Sequence, residues 1–327
     1  MVNLAQRMPE HPVAVERRAL MQRECIGPLQ AAGLDAHFFE GCAGLLLPLD
    51  VELLVRGGRQ ELAWGSGAYV VDTTLFVGRE GSGALDDMER CFGQMDFFPP
   101  YWHALRKNHK EPQTPGFVGG HISHVEVWRE ALRQQLDWVF VAEDDCLPSP
   151  GVADGRTALT WLDIWHVTAA QIQELREAGE TWDILYVGRS PSQSRPGPAL
   201  PRPAKVGGPP FLQPPGWCMR TQSYCLSRQG LHKLCASELA RCVLHRPQDE
   251  LLAALSVGGH PQRPLWQRLL RRGAPVPWHA LAFRFDGVTC QLQDLERSSR
   301  ALSLCACSDG LSGVPKALAL NTGLLES

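Results

Sequence analysis

Apolar residues recur along this chain at two periods, and the alternation between those periods predicts its elements. Over 17–32 they return at helical spacing, and 37–41 forms a short strand-like run. A helix is predicted over 123–134, where Ser123 is followed three positions on by Glu126, the pattern of a capping box. Residues 138–142, Trp-Val-Phe-Val-Ala, read as a buried strand. A long helix over 157–178 leads into the strand-like Trp182-Asp183-Ile184-Leu185-Tyr186-Val187-Gly188, and the strand over 223–227 is followed by a helix over 230–240. Strands alternating with helices predict an α/β fold with a mostly parallel, layered sheet.

One stretch breaks the pattern. Residues 189–216 carry nine prolines and four glycines, and proline lacks the donor that a sheet or helix interior requires. A long loop is predicted there, either a lid or a surface excursion. Residues 301–327 are rich in Ser, Leu and Gly and poorly patterned, so a single domain over 1–300 followed by a loose tail is expected.

The strand at 138–142 ends in three adjacent acids, Glu143, Asp144 and Asp145. Carboxylates at the carboxyl end of an inner strand sit at the crevice where open α/β sheets bind ligands. Hard oxygen ligands select Mg²⁺ or Mn²⁺ over softer ions, and such a cation commonly accompanies a bound phosphate. Alternate residues at a strand end share a direction, so Glu143 and Asp145 are expected to face one site while Asp144 points elsewhere. Asp145 is the expected direct metal ligand, with Glu143 beside it. A solvated acidic turn is the plain alternative.

Composition narrows the function classes. With 327 residues, 44% of them apolar, the chain can bury a full core, and a formal net charge of −3 supplies no basic field to recruit nucleic acid. The longest apolar stretches, 44–49 and 138–142, fall far short of the roughly 20 residues that span a bilayer. The first residues lack a basic region followed by an apolar core, so no secretory signal is read and a cytoplasmic location is expected, or the endoplasmic reticulum lumen if an upstream signal precedes this sequence. Eleven cysteines form no Cys-x-x-Cys pair, which argues against zinc and for buried thiols.

From Gly116 the chain reads Gly-Phe-Val-Gly-Gly-His-Ile-Ser-His-Val-Glu-Val-Trp, then a helical stretch, then the strand and its acids. This resembles glycosyltransferase family 25, which includes bacterial lipooligosaccharide galactosyltransferases and the procollagen galactosyltransferases. The residues that carry the resemblance are Gly116, Gly119, Ser123, His124, Trp128 and Glu143-Asp144-Asp145. Further pieces in family order are Asn3-Leu4 with Arg7, Phe39-Glu40-Gly41-Cys42, Trp182 to Gly188, Tyr224 to Gly230, and Pro247-Gln248-Asp249. Together they cover residues 1 to about 255. Gly120 stands where the family commonly has cysteine, residues 43–113 show no family motif, and the helix at 157–178 and the proline-rich stretch exceed a minimal member.

The resemblance implies a Rossmann-like glycosyltransferase of fold type A that is metal-dependent and inverting. It implies a hexose donor, UDP-galactose, and a glycan or protein hydroxyl acceptor, as in lipopolysaccharide biosynthesis or procollagen modification. Glu143 and Asp144 would touch the donor and its cation, Mn²⁺ or Mg²⁺. Asn3, Arg7, Ser123 and His124 would help hold the UDP-sugar. Asp249 is the candidate general base; as the residue before an apolar helix-like run, it also fits an N-terminal helix cap. His121 and His124 lie three apart, but no third ligand is spaced to complete a zinc site. Ser123 and His124 fit a role in capping and anchoring a helix whose first turn could meet a phosphate. His279 is a candidate late metal ligand, Arg106, Lys107 and Lys110 are candidate diphosphate contacts, and Trp217 is a candidate sugar platform. Two other functions stay open: a degenerate sugar-nucleotide or glycan-binding domain, and a metal-dependent phosphoesterase using the same acids.

Overall fold

The computed structural model describes residues 2–3, 12–42, 47–50, 53, 58–65, 67–72, 114–144, 146–148, 159–191, 212–213, 215, 218–237, 240, 242–244, 248–256, 278–283 and 289–291. A five-stranded sheet forms the centre. Its strands are β5 (Trp138–Ala142), β7 (Ile184–Pro191), β8 (Leu212–Gln213), β9 (Cys218–Ser227) and β11 (Ala280–Phe283), in the order β5-β9-β7-β11-β8. Smaller sheets join β1 (Val2–Asn3) to β2 (Phe39–Glu40), β3 (Arg59–Trp64) and β10 (Cys242–Leu244) to β4 (Gly67–Asp72), and β6 (Cys146–Pro148) to β12 (Thr289–Gln291).

Both faces of the central sheet are covered, which is why β5 and the first half of β7 read as continuous apolar runs rather than as alternation. Val141, Ile184, Tyr186, Tyr224 and Leu226 point to one face, where they pack with Val118, Ile122, Val125 and Trp128 of helix α3 (Thr114–Arg133), Leu231 and Leu234 of α5 (Arg228–Ala236), and Leu251 and Leu252 of α6 (Gln248–Ser256). Ala142, Leu185, Val187 and Cys225 point to the other, against Trp161, Ile164 and Ile172 of α4 (Trp161–Glu177). Cys25, Ile26 and Leu29 join that second layer from the helical segment of α1 (Pro12–Met21), one π-helical turn (Gln22–Ile26) and α2 (Gly27–Ala31). The result is an α/β fold with helices on both sides of the sheet.

The sheet is mixed, not mostly parallel as the alternation of elements predicted. Only β7 and β11 pair in parallel within it; β9 runs antiparallel to both β5 and β7. A parallel return needs a crossover, usually a helix, whereas an antiparallel one does not. After β7 the chain passes through β8 and enters β9, which lies alongside β7 in the opposite sense. Ser190 and Pro191 still pair with Met219 and Cys218, and Leu212 and Gln213 pair with β11. The predicted loop therefore gives up both flanks to strands. Because β5, β7 and β11 run the same way, their carboxyl ends still gather at one edge of the sheet.

Helix α3 corrects a second expectation. It begins at Thr114, nine residues before Ser123, so Ser123 lies in the helix interior and is no cap. The glycines at 116, 119 and 120 hide the helix from a propensity reading, since each costs about 1 kcal/mol in a helix interior. Fully burying Val118 and Ile122 returns about 1.5–3 kcal/mol for each side chain, which outweighs it. Glu126, the acid of the supposed capping box, instead accepts the Tyr69 hydroxyl proton and pairs with Arg129 at 2.9 Å, docking the β3–β4 hairpin. The real capping box belongs to α4, where the Thr160 hydroxyl accepts from the Asp163 amide and the Asp163 carboxylate accepts from the Thr160 amide.

Gly230 marks where α5 meets the amino end of β7. A Cβ there would lie 2.2 Å from the carbonyl oxygen of Asp183. Helix propensity alone would make Gly230→Ala stabilising by about 1 kcal/mol, but forced overpacking against backbone costs about 1–3 kcal/mol. A lower urea midpoint for Gly230→Ala, with unchanged denaturant slope, is the expected outcome.

A candidate donor site at the carboxyl end of strand β5

Strand β5 delivers Glu143 to the sheet edge, where its amide donates to the Gln222 carbonyl at 3.0 Å and its carbonyl accepts from the Cys146 amide at 3.1 Å. These two bonds fix the backbone of Glu143 at the sheet edge. The pairing of Val141 with Tyr224 and Ala142 with Ser223 puts Glu143 opposite Gln222 on the face that α3 covers. The carboxylate of Glu143, 29% exposed, stands 3.8 Å from Nε2 of His124.

Behind it lies a buried polar chain. Nδ1 of His124 is 2.6 Å from the Tyr224 hydroxyl, and Nε1 of Trp128 donates to the same hydroxyl at 3.1 Å. All three rings are buried. Burial holds the His124 imidazole down to about 3, with His121 nearby pushing the same way, so it is neutral at physiological pH. Burial raises the Tyr224 phenol well above its ordinary value; the Trp128 hydrogen bond opposes this and the Glu143 charge reinforces it. The phenol therefore keeps its proton.

Ser123, which the sequence placed at a helix start, is buried one position from His124. Its hydroxyl donates to the Gly119 carbonyl at 2.7 Å and accepts from the Cys42 amide at 2.6 Å. It thus ties the segment after β2 to α3 and has no helix N-terminus at which to meet a phosphate. Asn3 lies in β1 beside Glu40. Asp144 follows Glu143 in the same turn and is half-buried. Asp249 is the second residue of α6, and that helix packs on the same face of the sheet as Glu143, with Ser256 at its other end bonded to Tyr186 at 2.9 Å. Asp145, Arg7, Arg106, Lys107, Lys110 and Trp217 lie outside the described residues. Among the described residues no three His, Cys, Asp or Glu side chains gather into a metal-binding group.

His279 does not join the acids. Its amide donates to Asp183 at 2.7 Å at the start of β7, the end of the sheet opposite Glu143, so a metal-ligand role beside Glu143 is corrected to a structural one. Conversely, three residues that the sequence gave no polar role belong to the site: Trp128, Tyr224 and Gln222. Gln222 is buried, and its side-chain oxygen has no hydrogen-bond partner among the described residues. Its signal was a glutamine placed in alternation with Tyr224 and Leu226, two residues that face the apolar core. Beside it, β7 carries register shifts at Gly188, next to Ser223, the kind of local irregularity that strands often adopt near binding sites.

The site so described is a mixed α/β core with acids at a strand end and a buried polar chain behind them. No protein-family model matches the chain. It is, however, similar to several curated glycosyltransferase 25 family members. It is 32% identical over 192 residues, 57% of this chain, to inactive glycosyltransferase 25 family member 3 of Mus musculus. It is 25% identical over 235 residues, 70% of the chain, to a glycosyltransferase 25 family member of Aedes aegypti. To procollagen galactosyltransferase 1 of Danio rerio it is 26% identical over 198 residues, 58% of the chain. The matched stretches span only 28%, 34% and 29% of those relatives, respectively. The family 25 resemblance read from the residues is thus the one the comparisons return, and no described helix is long and apolar enough to cross a membrane.

Proposed function

We propose that this chain is an inverting, divalent-cation-dependent glycosyltransferase of fold type A, moving galactose from UDP-galactose to a hydroxyl of a glycan or protein acceptor. The observation that carries the reading is Glu143 at the end of β5, its backbone held on both sides and its carboxylate 3.8 Å from a buried histidine on α3. Similarity to procollagen galactosyltransferase 1 supports galactose as the sugar.

The donor set fits Mn²⁺ or Mg²⁺: Glu143 offers hard carboxylate oxygen and its side chain reaches solvent. Asp145 would complete the set as the direct ligand, with Asp144 toward the donor ribose. When bound, the cation supplies Lewis-acid neutralisation of charge on the departing diphosphate. The residues of the chain do the rest. Glu143, Asp144 and Asp145 fix the donor, with Asn3 and Arg7 as further donor contacts. Asp249 takes the proton from the acceptor hydroxyl as that oxygen forms its bond to the anomeric carbon and the diphosphate leaves from the opposite face.

A second reading is favoured by one observation: a relative at 32% identity is named inactive. In it the chain binds the nucleotide sugar and transfers nothing. Thermal unfolding with UDP-galactose, UDP-glucose and UDP, with and without Mn²⁺, tests the site. Ligand at about 100 times Kd should add about 2.7 kcal/mol. A metal-dependent shift with product release supports the enzyme, a shift without product supports the binding domain, and no shift in folded protein refutes both.

A further inference from the structure

We propose that His124 is a positioning residue: the Trp128–Tyr224 pair locks it as the Nε2–H tautomer, and that N–H orients the Glu143 carboxylate toward the donor and its cation. The inference rests on the donor-site reading above and assigns His124 a role through Glu143 rather than on the ligand itself.

The lock follows from counting protons. An indole nitrogen only donates, so the Trp128 bond at 3.1 Å makes the Tyr224 oxygen an acceptor. The phenol still has its own proton to place, and Nδ1 of His124, at 2.6 Å, is there to take it. Were Nδ1 protonated, two N–H groups would converge on one oxygen and the phenol proton would need an acceptor elsewhere in a buried core. Nδ1 therefore accepts, and Nε2 carries the hydrogen.

That hydrogen faces Oε1 of Glu143 across 3.8 Å, longer than a hydrogen bond. The backbone of Glu143 is pinned on both sides, so side-chain rotation is what closes the gap. The imidazole cannot follow, because it is 4% exposed and bonded on its far side. A rigid donor beside a rotatable carboxylate is the arrangement by which outer residues orient ligands that meet a metal.

Two measurements on the full chain test this. In ¹⁵N spectra of the histidine rings, His124 should show a protonated Nε2 and a bare Nδ1. Tyr224→Phe should admit the other tautomer, and Glu143→Gln should move the Nε2 resonance. A wild-type ring protonated at Nδ1 overturns the lock. Calorimetric binding of UDP in the presence of Mn²⁺ then separates two isosteres. His124→Gln sets an amide nitrogen near the Nε2 position and should bind close to wild type. His124→Asn keeps only the Tyr224 side and should weaken binding about 10–100-fold, with both variants shown to be folded by thermal melting. Equal binding by the two, or the reverse order, overturns the positioning role. Wild-type protein that binds no UDP with Mn²⁺ overturns the donor-site reading itself, and the assigned role falls with it.

Discussion

Replacing Glu143 with glutamine should lower the rate of sugar transfer by about 10²–10³-fold while leaving the fold intact. The change keeps the shape of the side chain and removes its charge. A preorganised group that meets developing charge is worth about 2.7–4 kcal/mol, and each 1.36 kcal/mol is about a factor of ten in rate. Stability should move little, because the side chain is 29% exposed. Single-turnover transfer from UDP-galactose, set against a thermal melt of the same preparation, checks both halves. Transfer at the wild-type rate would remove Glu143 from the site.

Asp183→Ala should cost about 3–5 kcal/mol of folding stability, the usual result of removing one member of a buried ion pair. Asp183 is fully buried at the start of β7. Its Oδ2 accepts from Lys233 of α5 at 2.8 Å and from the His279 amide at 2.7 Å. Its backbone bonds reach Ser227 and His279. One side chain thus joins β7, α5 and the lead into β11, all at the end of the sheet away from Glu143. Lys233 retains partial exposure, 21%, so the loss should fall toward the lower part of the range as its ammonium turns to water. Equilibrium urea unfolding gives the number. UDP binding in the presence of Mn²⁺, measured where the variant is folded, should be unchanged, which would separate this end of the sheet from the other.

Strands β5 and β7 were legible because burial on both faces leaves a plain trace, whereas β8, β11 and the first half of β9 were not read from the chain. Runs such as 138–142 and 184–187 are apolar throughout, and no other common element of that length is. The acids after β5 were legible for the converse reason, as charge where a buried strand must surface. The start of α3 was not, because three glycines erase the local helical preference and only contact with the sheet restores it. The cap of α4 and the supposed cap at Ser123 show the same limit. Both have Ser or Thr followed three positions on by an acid, yet Glu126 finds Tyr69 and Arg129, whereas Asp163 has its own helix end to satisfy.

The candidate site divides along the same line. Glu143, Asp144 and the helix carrying His124 could be read from the chain. That His124 bonds to Tyr224, 100 positions away, and Trp128 to the same hydroxyl from 96 away, could not. What the sequence by itself determined is which positions are buried, where a strand ends in charge, and that the layers are helix and sheet. What only the tertiary structure decided is the direction of β9, the length of α3, and which buried polar atoms face each other across the core. The physical reason is that hydrophobic periodicity records whether a side chain leaves water, whereas a hydrogen bond between distant elements depends on a register that no local segment encodes.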